Sequence, residues 1–216
     1  MSGSLVPLER GRGARVPQAE RSASMRARLS RAAFEVIHEQ GYANFRTAAV
    51  AKRAGVSQGA QLHHYPTKHS LALAAIEHAF EQAARDSLAR LQALAPDEDP
   101  VVGLLEDAKV YFLSPYFRVA LDILMAGGAD AALKQELTAT ALRQRGRVER
   151  LWLERLVDAG WSLSAAEDVL SMTLCLVRGV AVRALVEPVG TLVDRLFPRW
   201  EALVQTLAKQ GRKPGL

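Results

Sequence analysis

The chain has 216 residues, of which 49% are hydrophobic, 24% charged and 6% aromatic. This balance indicates a globular protein with a buried core and excludes a chain that is disordered throughout. The single cysteine, Cys175, excludes an internal disulfide framework and a zinc site built from cysteines. No uncharged apolar run approaches the roughly 20 residues of a membrane span, and the N-terminus lacks the apolar region of a secretory signal, so we expect a cytoplasmic protein with no membrane partner.

Positive charge is concentrated near the N-terminus. The formal net charge is +5, but residues 1–68 hold 11 Lys and Arg against 4 Asp and Glu, whereas the remainder holds 17 against 19. Residues 21–68 alone hold 8 against 2, so the excess does not come from the first twenty residues. A basic segment followed by a slightly acidic remainder indicates a unit that binds a polyanion.

The elements are predicted to be helices throughout. Residues 1–21 predict a disordered arm, because glycines and prolines interrupt them and no apolar period is present. From Ser22 onward the apolar spacing predicts about nine helices and no strand, which is an all-α fold. Gly41 and Gly55 are expected to end the first two helices. The predicted helices lie at about 23–40, 47–54, 58–65, 67–94, 100–113, 115–127, 130–159, 164–186 and 190–209.

Two local signals refine the C-terminal helices. Ser164 and Glu167 have the spacing of a capping box, which predicts the start of the eighth helix. Pro198 is expected to break or kink the last helix, since proline removes a backbone donor inside a helix.

The segment 47–65 carries the functional signal. It predicts two short helices joined by a tight turn at Gly55, a helix-turn-helix. Ala51 is small enough for the helices to approach closely, Gly55 can adopt the positive φ of the turn, and Val56 can fill the space between the helices. The outer face of the second helix is then free to enter a DNA major groove.

Three motifs within this region resemble the DNA-binding head of TetR-family (tetracycline-repressor-like) regulators. They are GY at residues 41–42, AKRAGVS at 51–57 and HHYPTK at 63–68. The resemblance implies a helix-turn-helix domain over residues 22–68 and a larger helical domain over 69–216 that binds an unknown small-molecule effector and dimerises. It implies a ligand-responsive repressor that binds a double-stranded, palindromic operator as a homodimer, with the dimer surface on the last two helices. A helical small-molecule-binding protein without operator specificity and an activator of the same fold stay open as alternatives.

The resemblance also assigns residues to the DNA interface. Residues on the second short helix are expected to read base edges, and glutamine pairs well with adenine. Two points stay open: whether Gln61 or Leu62 faces the DNA, and which residue caps the first of the two short helices. The base-facing candidates are Ser57, Gln58, Gly59, Gln61 and His63, and the phosphate-facing candidates are Arg46, Thr47, His64, Tyr65 and Lys68.

Candidates for the effector site lie in the C-terminal part. Aromatic side chains there either pack in the core or form a wall of the pocket. Met125 and Cys175 are candidates for apolar lining. Arg178 lies in an otherwise apolar helix and either neutralises an acidic effector or forms a salt bridge or a solvated face. The aromatic candidates are Tyr111, Phe112, Tyr116, Phe117 and Trp152.

Other chemistry is disfavoured. Residues 55–59 read G-x-S-x-G, the nucleophile elbow of α/β-hydrolases, but that motif requires a preceding strand and here a helical pattern precedes it. His63 and His64 are adjacent and point about 100° apart on a helix, so with His69 they do not form a metal site. We therefore predict no enzyme activity, no cofactor and no metal. Arginines at 143, 145, 147, 150 and 155 alternate with Glu149 and Glu154, which predicts a solvated face with local ion pairs.

Overall fold

The computed structural model describes residues 17–95, 98–126 and 130–211, without the side chains of 208–211. Within these residues the regular elements are nine α-helices, so the all-α prediction is confirmed. No helix of the described residues is long and apolar enough to cross a membrane. The helices are α1 Gln18–Asn44, α2 Thr47–Ala54, α3 Gln58–His64, α4 Lys68–Ala93, α5 Pro100–Phe112, α6 Pro115–Ala126, α7 Ala131–Asp158, α8 Leu163–Arg183 and α9 Gly190–Gly211.

Several boundaries differ from the predicted ones. Helix α1 begins at Gln18, inside the segment predicted as a disordered arm, and residues 1–16 lie outside the described residues. Helix α8 begins at Leu163 because the Ser162 hydroxyl oxygen accepts a hydrogen bond from the backbone N–H of Ala165, so the predicted capping box at Ser164 is wrong. Helix α9 continues through Pro198 instead of breaking there.

Helices α1 to α3 form a compact head on the first turns of α4. Gly41 has a φ of 75° and interrupts the helical path near the end of α1, which turns the chain into α2. Gly55 has a φ of 63° and makes the turn between α2 and α3, as predicted. The buried side chains of Ile37, Phe45 and Val50 belong to the shared core. These short helices are therefore held by packing of α2 against α1 and of α3 against α2 rather than by their own length.

The remaining helices form the larger part of the molecule. Helix α4 packs against α1, α6 and α7, and α5 packs against α8. The buried Asp107 carboxylate on α5 accepts hydrogen bonds from Ser87 Oγ at 2.6 Å, Arg90 Nε at 2.9 Å and Trp152 Nε1 at 3.1 Å. Asp107 therefore joins α4, α5 and α7 at one buried point.

Candidate functional site

The exposed face of α3 is defined by the orientation of its side chains. Gln58, Gly59 and His63 are exposed to solvent, and Leu62 is 43% exposed. Gln61 is 0% exposed, and its side-chain Nε2 donates a hydrogen bond to the Tyr65 carbonyl at 2.5 Å. The expectation that Gln61 reads bases is therefore wrong, because its side chain points into the head and ties the end of α3. Leu62 lies on the outer side.

Two further residues of the predicted set shape the start of α3. The Ser57 hydroxyl oxygen caps the helix by accepting a hydrogen bond from the Ala60 backbone N–H at 3.2 Å. This leaves the hydroxyl proton available for a phosphate or a base. A Cβ atom built on Gly59 would meet no atom within 4 Å, so this glycine leaves an open surface on which another backbone can approach.

The phosphate candidates Thr47 and Lys68 are the first residues of α2 and α4, and Thr67, the predicted start of α4, is its N-cap. Arg46 occupies the N-cap position of α2, and no side chain caps that helix. The Arg46 guanidinium donates instead to the Ala43 and Phe45 carbonyls, each at 3.1 Å. Backbone N–H groups at the start of α2 thus lack a side-chain cap, which suits an anion such as a phosphate.

Lys68 is held against the corner between α1 and α2. Its Nζ donates a hydrogen bond to the Tyr42 carbonyl at 3.2 Å and lies 4.5 Å from the centroid of the Tyr42 ring. Burial, followed by the positive charge of Arg46, lowers the pKa of Lys68. An ammonium group has three donors, so Lys68 can keep the Tyr42 contact and still meet a phosphate.

His63, His64 and Tyr65 lie together at the end of α3. The two imidazole rings meet edge to face with centroids 5.2 Å apart. Burial, with a smaller effect from Glu77, raises the pKa of the Tyr65 phenol, which stays protonated at neutral pH and can donate a hydrogen bond. Among the described residues, no group of three or more His, Cys, Asp or Glu side chains could hold a metal ion.

The two acidic side chains within residues 21–68, Glu35 and Glu39, are already paired. Arg31 pairs with Glu35 at 2.9 Å, and Arg53 forms ion pairs with Glu35 and Glu39. Glu35 and Glu39 are the only acidic residues between positions 21 and 68. The other cations of this segment therefore carry its excess positive charge, which favours a polyanion.

A cavity of about 490 Å³, which we call the central cavity, is lined by residues of α4 to α8. Four predicted residues line it: Tyr111, Phe112, Phe117 and Arg178. The Phe112 ring lies 4.9 Å from that of Tyr111 and 5.0 Å from that of Phe117, in edge-to-face contacts. The walls are mostly apolar, as in small-molecule sites generally.

The other predicted pocket residues do not line the central cavity. The Tyr116 ring packs against Phe34 on α1, with centroids 5.4 Å apart. Trp152 is buried and bonded to Asp107. Met125 is 74% exposed and borders a different cavity between α1, α6 and α8. Cys175 is exposed on α8. Tyr116 and Trp152 therefore pack with the core, one of the two alternatives, whereas the expected places of Met125 and Cys175 in the wall of the central cavity are wrong.

Arg145 was missed as a site residue by the sequence pattern. It is only 13% exposed, and its guanidinium lies 4.1 Å from the Tyr111 ring centroid in the cavity wall. The expectation of a solvated arginine face is therefore wrong at this position. The alternation of arginines with Glu149 predicted a solvated face for all of them. Only the packing of α7 on α5 distinguishes the largely buried Arg145 from its exposed neighbours.

Helix α6 touches both the head and the central cavity. Its Asp122 Oδ2 accepts a hydrogen bond from the Tyr42 backbone N–H at 2.6 Å, next to the Gly41 turn. Its Phe117, Leu121 and Leu124 line the cavity. A shift of α6 would therefore act on the corner that precedes α2.

Comparison with known proteins identifies the family. The sequence pattern of the family described as "Bacterial regulatory proteins, tetR family" matches residues 29–75. The chain is 45% identical over 168 residues to the HTH-type transcriptional regulator CymR of Pseudomonas putida, an alignment that covers 78% of this chain and 83% of CymR. The chain belongs to the TetR family. It is a DNA-binding transcriptional regulator, and neither the family nor CymR is described as an enzyme.

Solved structures of TetR-like regulators share the fold along nearly the whole chain. A TetR-family regulator from Mesorhizobium loti superposes with a TM-score of 0.69 at 15% identity, covering 89% of this chain and 99% of its own. A transcriptional regulator from Rhodococcus sp. Rha1 superposes with a TM-score of 0.64 at 25% identity, covering 88% and 99%. Both domains of the TetR fold are thus represented in the chain.

Proposed function

We propose that this TetR-family protein is a ligand-responsive repressor that binds a roughly palindromic operator as a two-fold dimer. The observation that carries the proposal is the exposed face of α3, with the uncapped start of α2 and the start of α4 beside it. Gln58 and His63 would contact bases, together with Gly59 through close backbone approach. Thr47, Ser57, His64, Tyr65, Lys68 and Arg46 would contact phosphates.

Dimerisation would use α8 and α9. Several large apolar side chains on or beside these helices are exposed, which is unusual for a surface without a partner. Two helices from each copy would form a four-helix bundle, and a two-fold axis would place the two α3 helices on matching half-sites. The exposed apolar residues are Leu163, Met172, Val182, Leu185, Val186, Leu203 and Leu207.

The ligand response would pass through α4 and α6. An effector that prefers the dimer shape with wrongly spaced heads lowers operator affinity by its differential binding energy, typically about 1–3 kcal/mol. Helix α4 connects the head to the cavity wall through Ile76 and Phe80. Helix α6 makes the second connection, through the Asp122 bond to Tyr42.

Footprinting of the DNA upstream of the protein's own gene tests this proposal. We expect two protected half-sites about one helical turn apart or more, arranged as an inverted repeat, and loss of protection when an effector is added. A single protected half-site would contradict the dimer. Protection without sequence preference would favour the alternative of a small-molecule-binding protein that lacks operator specificity.

The direction of regulation needs a separate readout. A reporter gene placed behind the protected DNA should be silent with the regulator present and expressed when the regulator is deleted. Expression that requires the regulator would instead identify an activator of the same fold.

The dimer surface is tested by sedimentation of Leu203→Lys, since Leu203 is exposed on α9. We expect a folded monomer with weakened operator binding. Arg147→Gln, an exposed change on α7, is the matched control and should stay dimeric.

A further inference from the structure

We propose that the central cavity binds a small apolar carboxylic acid, with its hydrocarbon body among the aromatic and aliphatic walls and its carboxylate between Arg145 and Arg178. The inference deepens the proposed function, because the bound acid would be the effector. Binding of the acid can nevertheless be measured without DNA.

The size and walls of the cavity fit a small organic molecule. Its volume of about 490 Å³ lies within the range of roughly 300–1,000 Å³ typical of ligand pockets. Ile76, Phe80, Phe117, Leu121 and Leu137 supply an apolar surface from three different helices. A ligand with an aromatic ring or a branched or linear hydrocarbon body would bury its apolar area there.

The charges in the wall select an anion. Arg145 is largely buried, and its nearest carboxylate is Glu149 at 3.7 Å, beyond hydrogen-bonding distance. Arg178 has its guanidinium 5.1 Å from the Phe112 ring centroid and forms no ion pair with a carboxylate of the described residues. The largely buried Arg145 is therefore poorly paired, which is costly until an anion meets it, and the exposed Arg178 adds a second positive charge to the same wall.

The arrangement of the two arginines also suits a carboxylate specifically. They come from α7 and α8, and both lie over rings of α5, Arg145 at 4.1 Å from Tyr111 and Arg178 at 5.1 Å from Phe112. A guanidinium that stacks on a ring keeps its N–H edge free for an oxygen acceptor. A planar carboxylate accepts bonds from two such groups, whereas an amine is repelled by them.

The Tyr111 phenol adds a neutral hydrogen-bond donor to the cavity wall. Burial raises the pKa of the Tyr111 phenol to about 12. The phenol therefore stays protonated at neutral pH and can donate to an oxygen of the ligand.

Isothermal titration of the full-length protein with matched probes tests the inference. The acids are 3-phenylpropanoate and octanoate, and the comparisons are their primary amides and 3-phenylpropylamine. We expect at least one acid to bind about tenfold or more tightly than its amide, since a hydrogen bond to a charged group is commonly of this strength. The amine should bind most weakly.

Three variants locate the carboxylate. Arg145→Gln and Arg178→Gln should each weaken acid binding about tenfold or more and leave amide binding unchanged. Arg147→Gln, an exposed arginine on the same helix as Arg145, should change neither. If Arg145→Gln fails to fold, the exposed Arg178 still decides the question, because its side chain is not part of the buried core.

The outcomes separate the ligand class from the regulatory role. Acids that bind no better than amides, or an amine that binds more tightly, would overturn the inference even if a neutral compound releases the operator. Acids that bind as expected but leave the operator complex intact would uphold the ligand class and contradict the proposed ligand response. No binding by either acid would overturn the inference.

Discussion

The helix-turn-helix of α2 and α3, which we call the α2–α3 corner, and the central cavity differ in how the chain positions their functional groups. In the corner, residues close in sequence fix the backbone, and the side chains proposed to contact bases, Gln58 and His63, are exposed. In the cavity, five helices from distant parts of the chain meet, and Arg145 and Tyr111 are largely buried. A substitution in the corner should therefore change recognition with little effect on stability, whereas a substitution near the cavity affects packing first.

The largest expected effect lies behind the cavity wall. Asp107→Ala removes the acceptor for Ser87, Arg90 and Trp152, so we expect the free energy of unfolding to fall by about 3 kcal/mol. Urea unfolding measures this loss. Glu106→Ala is the control, because Glu106 is half-exposed and pairs with Lys109 on the surface. Equal losses for the two variants would show that the buried hydrogen bonds of Asp107 do not contribute to the free energy of unfolding.

The corner should respond in recognition instead. Gln58→Ala should weaken operator binding by about 1–3 kcal/mol and relax base preference at one position, with thermal stability unchanged. Gln61→Met should keep the base preference, because Gln61 is buried and bonded to Tyr65. Fluorescence anisotropy with single-base operator variants distinguishes the two. A Gln61→Met variant that loses base preference would contradict the orientation of α3.

The connection between the two regions is tested at Asp122. Asp122→Ala removes the bond to the Tyr42 backbone, and we expect the effector-dependent change in operator affinity to fall about fivefold or more. Operator titrations with and without effector measure this change, and effector binding itself should be preserved. Full effector response in the variant would remove Asp122 from the pathway and leave α4 as the connection.

The phosphate contacts should change affinity without changing specificity. Lys68→Ala should weaken binding to all duplexes alike and reduce the slope of log K against log salt by about one unit. Lys109→Ala, whose ammonium lies over Phe197 far along the chain, is the control. An unchanged slope for Lys68→Ala would remove Lys68 from the phosphate contacts.

The smallest expected effect is a pH dependence of the head. Burial, followed by the charge of Arg85, lowers the pKa of His78 below its usual 6.5. The unfolded chain then binds the proton more readily, so His78 costs stability as the pH falls through and below 6.5. We therefore expect His78→Gln to become more stable relative to the native chain when the pH is lowered from 8 to 5. Urea unfolding at the two pH values measures this change. A difference that is constant with pH would contradict burial of this imidazole.

The same contrast explains what the sequence could predict. The turn at Gly55 and the positions of α2 and α3 depend on neighbouring residues, so the sequence predicted them closely. The direction of the Gln61 side chain was not predicted. Each residue turns a helix by about 100°, and the seven residues of α3 are too few to define an apolar period.

In the larger part, helix positions were predicted but side-chain partners were not. Trp152 and Arg145 lie on the same helix, one bonded to a buried carboxylate and the other stacked in the cavity wall. Nothing in the spacing of α7 distinguishes them, because their partners lie on α5, more than thirty residues earlier in the chain. Long-range packing of this kind decides the cavity and is visible only in the structure.

The central claim is that the exposed face of α3 touches bases, and selection of bound duplexes from a random pool tests it most directly. With the full-length protein at low salt and without effector, the account predicts enrichment of an inverted repeat whose half-sites share one short sequence. A selected pool as random as the starting one would contradict it.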